Sequence, residues 1–269
     1  MKKFFIAGLI GLLVSATLMA ENLVITTGSK KGSYFQVGHR IASQFKGAKV
    51  ITSRGSVENF DRLVKGEANV AIAQKDAYRW YVSKHPEAAD KIDLIGDLYQ
   101  ECVFLVVKKD GKVENDGDLQ KEGVTIAVGK KGSGAQVTWE YMTQLESGFK
   151  KATSIPKGGN RVLAKVASGK YDAALFVIQP KPKGWLFKTV ANNKDLEFGS
   201  ITDWDLNDKY EGKPIYTFEK VKVEDGLFGD KVKTICTTAS IFINADMDED
   251  LADELSGLLL NHQKFLRGE

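Results

Sequence analysis

The sequence predicts an α/β fold built from two similar Rossmann-like lobes, which are joined by hinge strands and enclose a cleft between them. Three observations support this prediction. Runs typical of β-strands alternate with runs typical of amphipathic helices along the 269 residues. One strand–loop–helix pattern occurs in both halves of the chain, and two polar segments lie where a chain that crosses between lobes needs linkers.

The N-terminal segment, residues 1–20, has the pattern of a secretory signal peptide, MKKFFIAGLIGLLVSATLMA. Lys2 and Lys3 precede an apolar stretch that is too short to cross a bilayer, since a membrane-spanning helix takes about 20 residues. We expect cleavage after Ala20, with Ala16 as the alternative site, and export of the protein to the periplasm. An uncleaved membrane anchor is the competing interpretation.

The first repeated unit is a strand, a Gly-rich loop and an amphipathic helix. In the first half, LVIT leads into TGSKKGS, and Val37 and Ile41 then follow at helical spacing. In the second half, VTIAV leads into GKKGSG, and Val137 and Tyr141 repeat that spacing. The repetition predicts one such unit in each lobe.

A second unit also occurs twice, and each copy reads loop, helix, glycine and strand. The copies are SRGSVENFDRLVKGEANVAIAQ, with Gly66 after the helix, and IPKGGNRVLAKVASGKYDAALFVIQ, with Gly169 in the same place. Glycine commonly follows the last helical turn because it tolerates positive φ. Each half therefore contains a βαβ arrangement.

The polar segments VKKDGKVENDGDLQ and VEDGLFGDKVKT predict the two crossings between lobes. The apolar run CTTASIFINA and a C-terminal helix follow the second crossing, and we expect them to return to the first lobe. Lobe 1 is accordingly assigned residues 21–108 together with 236–269, and lobe 2 is assigned residues 109–235.

The net charge argues against a nucleic-acid partner, and the two cysteines leave open whether a disulfide forms. Removing Lys2 and Lys3 with the signal lowers the formal net charge from +3 to +1. Nucleic-acid binders carry a clustered basic excess, so no nucleic-acid partner is expected. Cys102 and Cys236 can form a disulfide in an oxidising compartment, or they can remain two separately buried thiols.

Four Gly- and Ser-rich loops precede helices: TGSKKGSYF, SRGSVEN, GKKGSGAQ and PKGGNR. A helix N-terminus exposes unpaired N–H groups and a partial positive charge, and glycine lets a ligand approach the backbone. Ligands of open α/β sheets bind at the carboxyl ends of strands, where these loops lie. Ordinary helix capping explains any one loop, but the four together predict an anion site in the cleft.

Motifs for catalysis, nucleotides and metals are missing from the sequence. GSKKGS lacks the residue order of a Walker loop, and GKKGSGAQ lacks the third glycine of the dinucleotide fingerprint. The sequence has no G-x-S-x-G element, and its three His are too scattered for metal-ligand spacing. We predict a protein that is not an enzyme and holds neither cofactor nor metal, although its many carboxylates leave a two-carboxylate enzyme open.

Six segments extend over nearly all of the chain after the signal: TTGSKKGSYFQVGHRIA, SRGSVENFDRLVKGEANVAIAQKDA, YQECVFLVVKK, VTIAVGKKGSGAQVT, GKYDAALFV and IYTFEKV…TTASIFINADMDEDL. In order and spacing they resemble TAXI-type solute-binding proteins of TRAP transporters. The resemblance implies a periplasmic binding protein of the type II fold; we expect a monomer, although the sequence leaves the oligomeric state open. Such a protein captures a small organic anion, a dicarboxylate or an acidic amino acid, and delivers it to TRAP membrane permease subunits driven by an ion gradient.

The same resemblance implies a binding site made by the loops described above. Its residues are Gly28, Ser29, Ser33, Tyr34, Ser56, Asn59, Gln74, Asp76, Ser133, Gly134 and Gln136. The chain departs from the family where Lys30 and Lys31 enter the first loop and where FVIQPKPKGW ends the last strand. For Tyr34, a place as a core aromatic beneath the first helix is the alternative.

Further site candidates come from this chain's own residues. Phe176 and Gln179 lie at the end of the strand AALFVIQ, and Gly55 opens the second helix. Arg54 precedes that glycine and can bind a carboxylate through two parallel hydrogen bonds. A surface ion pair with Glu58 is the alternative for Arg54.

Two other classes of function stay open at this point. One is an ABC-type binder of an inorganic oxyanion, and the other is a secreted enzyme on the same two-lobe scaffold, because a fold does not determine a function. The sequence leaves open the identity of the solute.

The signal peptide is the first testable feature. N-terminal sequencing of the exported protein should begin at Glu21, or at Thr17 if the alternative site is cut, because signal peptidase cuts after small residues. Recovery of intact Met1 in a membrane fraction would contradict cleavage and support the membrane anchor.

Overall fold

The computed structural model describes residues 22–210, 212–225 and 229–269. The expected signal peptide, residues 1–20, lies outside these residues and stays a prediction. No helix in the described ranges combines the length and the apolar character that a membrane span needs.

The N-terminal part alternates three strands with three helices, as the sequence predicts. These elements are β1 (Val24–Thr26), α1 (Ser33–Ala42), β2 (Lys49–Ile51), α2 (Ser56–Val64), β3 (Val70–Gln74) and α3 (Lys75–Lys84). Gly66 follows α2 with a φ of +67°, so the predicted glycine stop is confirmed.

A long strand, β4 (Ile92–Lys108), leads from these elements into a second alternating set. That set is β5 (Thr125–Ala127), α4 (Gly134–Leu145), β6 (Thr153–Ile155), α5 (Asn160–Ala167), β7 (Ala173–Ile178), α6 (Trp185–Ala191) and β8 (Leu196–Gly199). The C-terminal elements are β9 (Lys209–Tyr210), β10 (Lys213–Pro214), β11 (Thr217–Lys222), β12 (Lys231–Asn244), α7 (Glu249–Asn261) and α8 (Gln263–Arg267).

The main sheet has the strand order β2-β1-β3-β12-β4-β7-β5-β6, with β11 beside β12 and β8 beside β4. We call the parallel strands β2, β1 and β3 the first half-sheet, and the parallel strands β6, β5 and β7 the second half-sheet. Each half-sheet ends on one long antiparallel strand, β12 for the first and β4 for the second. The predicted α/β fold with two similar parts is confirmed.

Helices cover both faces of each half-sheet, and the alternation of buried side chains shows this directly. On β3, Val70 and Ile72 pack into one apolar cluster with α1, whereas Ala71 and Ala73 pack into another with α2 and α3. Strands buried on both faces read as continuous apolar runs, which accounts for VAIA here and AALFV in β7. The helical positions predicted to face inward, such as Ile41, are buried.

The long strands β4 and β12 connect the two half-sheets. On β4, residues 92–102 pair with β12, and residues 102–107 pair with β7. Cys102 is therefore the residue at which β4 changes partners. The boundaries assigned to the two lobes fall at the end of β4 and inside β12, and they stay a prediction.

Cys102 and Cys236 form a disulfide at this change of partners. The two residues are opposite each other in the β4–β12 register, although 134 positions separate them in the sequence. Both are buried. Of the two alternatives that the sequence leaves open, the structure has the paired form.

Replacing Cys102 and Cys236 together by Ala should lower the free energy of unfolding by about 2–5 kcal/mol, because the unfolded chain then loses a crosslink that closes a long loop. Urea denaturation of the wild type and the double variant measures this. Wild type under reducing conditions is the control that separates the crosslink from the lost sulfur volume. Equal stability of the oxidised wild type and the variant would contradict a stabilising disulfide.

Candidate ligand-binding site

A cavity of about 470 Å³ is lined by both halves of the structure. Its walls come from the carboxyl ends of β1, β3 and β7 and from the starts of α1, α2, α4 and α6. This is the edge at which ligands of parallel sheets bind. The volume lies within the usual range for small-molecule sites, about 300–1,000 Å³.

Three helices of eight residues or more begin at the cavity. The residues before α1, α2 and α4 are Gly32, Gly55 and Ser133, and all three line the cavity. The starts of α1 and α2 have no side-chain cap, whereas the Ser133 hydroxyl accepts a weak hydrogen bond from Gln136 N at 3.4 Å. The partial positive charges of three helix ends therefore converge on one space, which favours a bound anion.

Glycine allows the two sides of the cavity to touch. Gly55, with a φ of +147°, lies so near the carbonyl oxygen of Gly132 that a Cβ at position 55 would overlap it. A Cβ at Gly134 would overlap the side chain of Gln74 in the same way. The start of α2 can therefore approach the backbone that precedes α4 because Gly55 lacks a side chain, and Gly134 makes room for the Gln74 side chain at the end of β3.

Ten of the predicted site residues line this cavity. They are Gly28, Ser29, Ser33, Tyr34, Gly55, Ser56, Gln74, Ser133, Gly134 and Gln179. The structure brings together residues from five separate segments of the sequence, and their contact with a ligand stays a prediction.

Arg54 does not lie in the cavity, and the expectation that it does is wrong. Its side chain is 85% exposed and forms an ion pair with Glu58, with Nε and Oε2 2.9 Å apart. Glu58 is in the first turn of α2 and is held on its other side by Arg62 at 2.6 Å. The surface ion pair is thus the correct interpretation of Arg54.

Asp76 is likewise absent from the cavity lining. It is fully buried, and its Oδ2 accepts hydrogen bonds from the Thr138 hydroxyl at 2.5 Å and the Tyr216 hydroxyl at 2.9 Å. Burial raises the pKa of Asp76, and these hydrogen bonds act in the opposite direction. Asp76 therefore joins α3 to α4, which corrects its predicted role as a ligand contact.

Three other predicted site residues do not line the cavity and instead contact other parts of the fold. Buried Asn59 accepts a hydrogen bond from the Thr26 hydroxyl at 2.8 Å and donates one to the Ile72 carbonyl at 2.9 Å. Gln136 accepts from the backbone N–H of Gly132 at 2.9 Å. Phe176 packs edge-on against Trp185, with ring centroids 5.7 Å apart.

Sequence reasoning missed several lining residues. Val177, Ile178, Trp185 and Phe187 form an apolar wall, and Lys31, Lys181 and Glu101 supply charges. Both lysines are exposed, whereas Glu101 is only 8% exposed. The signal that could have identified Glu101 is an acidic residue within the apolar strand YQECVFLVV.

Glu101 lies on β4 and is held by Tyr34 on α1. The Tyr34 hydroxyl donates to Glu101 Oε2 at 2.6 Å. Burial raises the pKa of Glu101 to about 7; the hydrogen bond from Tyr34 opposes this rise, and the charge of Asp76 adds to it. Burial also raises the pKa of Tyr34 well above its usual value, so the phenol keeps the proton that it donates.

One group of carboxylates has the spacing of a metal site. In the described part of the chain, Glu146, Asp203 and Asp205 bring carboxylate oxygens within 4.8 Å of one another. Glu146 and Asp203 already cap neighbouring turns, because they accept from the backbone N–H groups of Gly148 and Asp205. Capping accounts for Glu146 and Asp203, and none of the three residues lines the cavity.

Comparison with known proteins identifies both a matching family model and matching folds. The model of the NMT1-like family matches residues 25–268. The amino acid ABC transporter substrate-binding protein AbpA from Streptococcus pneumoniae, bound to L-arginine, is 17% identical. It covers 92% of each chain at a TM-score of 0.55.

Two further solved structures support the same fold. The arginine-, lysine-, histidine-binding protein ArtJ from Geobacillus stearothermophilus is 14% identical, with coverage of 91% of this chain and 92% of that chain and a TM-score of 0.53. A histidine kinase sensor domain with similarity to periplasmic binding proteins is also 14% identical, covering 93% and 95% at a TM-score of 0.54. The chain thus has the fold of periplasmic binding proteins.

Glu101 predicts a specific dependence of stability on pH. Between its usual pKa of 4.5 and its folded value of about 7, the folded state binds more protons than the unfolded state. The free energy of unfolding should therefore fall as pH rises through this window, by roughly 3 kcal/mol for this one group. Glu101→Gln should remove that contribution.

Urea denaturation of wild type and Glu101→Gln at about pH 5 and about pH 8 measures the difference. Other buried acids such as Asp76 and Asp116 are common to both proteins, so the comparison isolates Glu101. A stability difference that is the same at both pH values would contradict the raised pKa.

Proposed function

This chain belongs to the NMT1-like family, and from that premise we propose that it is a solute-binding protein for a small organic anion. We propose more specifically a TAXI-type subunit of a TRAP transporter. It captures a dicarboxylate or an acidic amino acid in the periplasm and delivers it to an ion-gradient-driven permease. The segments that resemble TAXI-type proteins, from TTGSKKGSYF to the C-terminal tail, support the finer assignment.

The observation that carries the proposal is the convergence of three helix N-termini on one cavity. No side chain caps the first turn of α1 or α2, although the Gly55 N–H that precedes α2 donates to the Ser53 hydroxyl, and neither α1 nor α4 has an acidic residue in its first turn. Anions bind at such ends because the N–H groups and the helix dipole both favour negative charge. A carboxylate seated there satisfies groups from both halves at once.

The size of the cavity favours an organic solute over an inorganic oxyanion. At about 470 Å³, the space is much larger than a phosphate or sulfate needs. The apolar wall that includes Val177 and Trp185 can contact a carbon chain. These features support an organic acid and weigh against the ABC-type oxyanion binder.

The lining chemistry supports binding without turnover. Among the described lining residues there is no His or Cys, so the serines there have no histidine base to activate them. The amino acid binders that share the fold also fit a protein that captures and releases a solute. This is the basis for preferring a binding protein to the secreted enzyme.

A binding test follows from the charge of the site. L-glutamate, L-aspartate, succinate or glutarate should raise the melting temperature, because a ligand at 100 times its Kd stabilises the folded state by about 2.7 kcal/mol. Ser33→Asp adds a negative charge at the exposed start of α1, where it suits the helix dipole but repels an anion. We expect this variant to fold normally and to bind at least about 10-fold more weakly, corresponding to at least about 1.4 kcal/mol.

Arg54→Ala is the matched control, since it changes a charge on the same rim but outside the cavity lining. It should keep the affinity of the wild type. Failure of every acid to raise the melting temperature, or turnover of a bound acid, would overturn the proposed function.

A further inference from the structure

Glu101 is a carboxylate at the cavity that has no cationic partner in the described ranges of the chain. Its Oε2 accepts from the Tyr34 hydroxyl, and no described residue donates a hydrogen bond to its Oε1. The described ion pairs do not include it either. One oxygen of Glu101, a residue that is only 8% exposed, is therefore left for something that enters the cavity.

A carboxylate in this position needs a proton or a positive charge. Removing an ionised group from water is costly unless it is paired and hydrogen-bonded. Tyr34 supplies one hydrogen bond but no charge. The exposed lysines of the lining, Lys31 and Lys181, form no ion pair with Glu101 and can remain in solvent.

The anion-binding end of the cavity is close to this carboxylate. Tyr34 is the second residue of α1, so the side chain that holds Glu101 comes from the first turn of a helix whose start lines the cavity. The position of Glu101 is thereby tied to one of the three helix ends. A single small molecule can therefore place a negative group at the helix N-termini and a positive group at Glu101.

We infer that Glu101 accepts the ammonium group of the solute, and that the site takes a zwitterionic amino acid in preference to a dicarboxylate. This inference rests on the proposed function and narrows its two solute classes to one. The carboxylate of the amino acid lies at the helix N-termini, and its ammonium group donates to Glu101. Tyr34 is a positioning residue, because it fixes the orientation of the Glu101 carboxylate.

The environment of Glu101 suits this task. The titratable groups that face it are Tyr34 from α1, Tyr99 from its own strand and Asp76 from α3, and none of them is a cation. In the empty site the pKa of Glu101 is about 7, so at neutral pH the carboxyl is only partly ionised. An arriving ammonium group completes its ionisation and releases the proton.

Matched pairs of probes test the inference: L-glutamate with glutarate, L-aspartate with succinate, and L-glutamine with glutaramate. Members of a pair differ only in the amino group. For wild type, calorimetry should give an amino acid that binds about 100-fold more tightly than its deaminated partner, the usual scale for losing a charged hydrogen-bond pair. Glu101→Gln should reduce this preference to less than about 10-fold, and Tyr34→Phe should fall between the two.

Proton release provides a measurement that needs no variant. Titration of wild type with the tightest-binding amino acid near pH 7, in buffers of different ionisation enthalpy, should show release of up to about half a proton. This result is independent of whether Glu101→Gln folds. A structural role for Glu101 alone would not produce it.

The outcomes separate the inference from the function on which it rests. A dicarboxylate that binds as tightly as its amino partner, or proton uptake on binding, would overturn the role of Glu101 and leave an organic-anion binder in place. Absence of binding by all six probes would overturn the proposed function together with the inference.

Discussion

The antiparallel pairing of β4 with β12 is the constraint on which the site depends. It places the first half-sheet on one side and the second half-sheet on the other, so that the carboxyl ends of β1, β3 and β7 open into one cavity. The same register sets Cys102 opposite Cys236. Because neighbouring residues of a strand face opposite sides, it also leaves Glu101 on the side of the cavity. A shift by one residue would exchange these two faces.

Two groups of opposite charge determine the electrostatic properties of the cavity. Three helix ends bring partial positive charge to one cavity, and Gly55 brings the start of α2 against the backbone that precedes α4. The buried carboxylate of Glu101 lies beside them, and no cation among the described residues pairs with it. The two features are complementary, because the helix ends favour the carboxylate of a zwitterion and Glu101 favours its ammonium group. Neither alone distinguishes a binding site from ordinary capping or a protonated buried acid.

The sequence predicted what depends on local periodicity and turn chemistry. Helical spacing identified the buried face that contains Ile41, and glycine after a helix identified the stop at Gly66. The loops rich in Gly and Ser, together with the family resemblance and the strand end at Gln179, indicated ten residues that lie at one cavity. The sequence did not determine the directions of these side chains. Arg54 pairs with Glu58 one turn away. Asp76 turns toward Thr138 because α3 meets α4. The disulfide and the placement of Glu101 at the cavity follow from long-range register, whereas the local sequence shows only an acidic residue within an apolar strand.

The buried bridge at Asp76 has a kinetic consequence. Its bonds to Thr138 and Tyr216 require α3 and α4 to be in contact, so they stabilise the arrangement in which the two sides of the cavity touch. In a binding protein that admits solute by hinge opening, only the open fraction can capture it. The observed on-rate is then the encounter rate multiplied by that fraction. For the proposed function, the hydrogen bonds of Asp76 would therefore lower the open fraction and slow solute capture at low concentration.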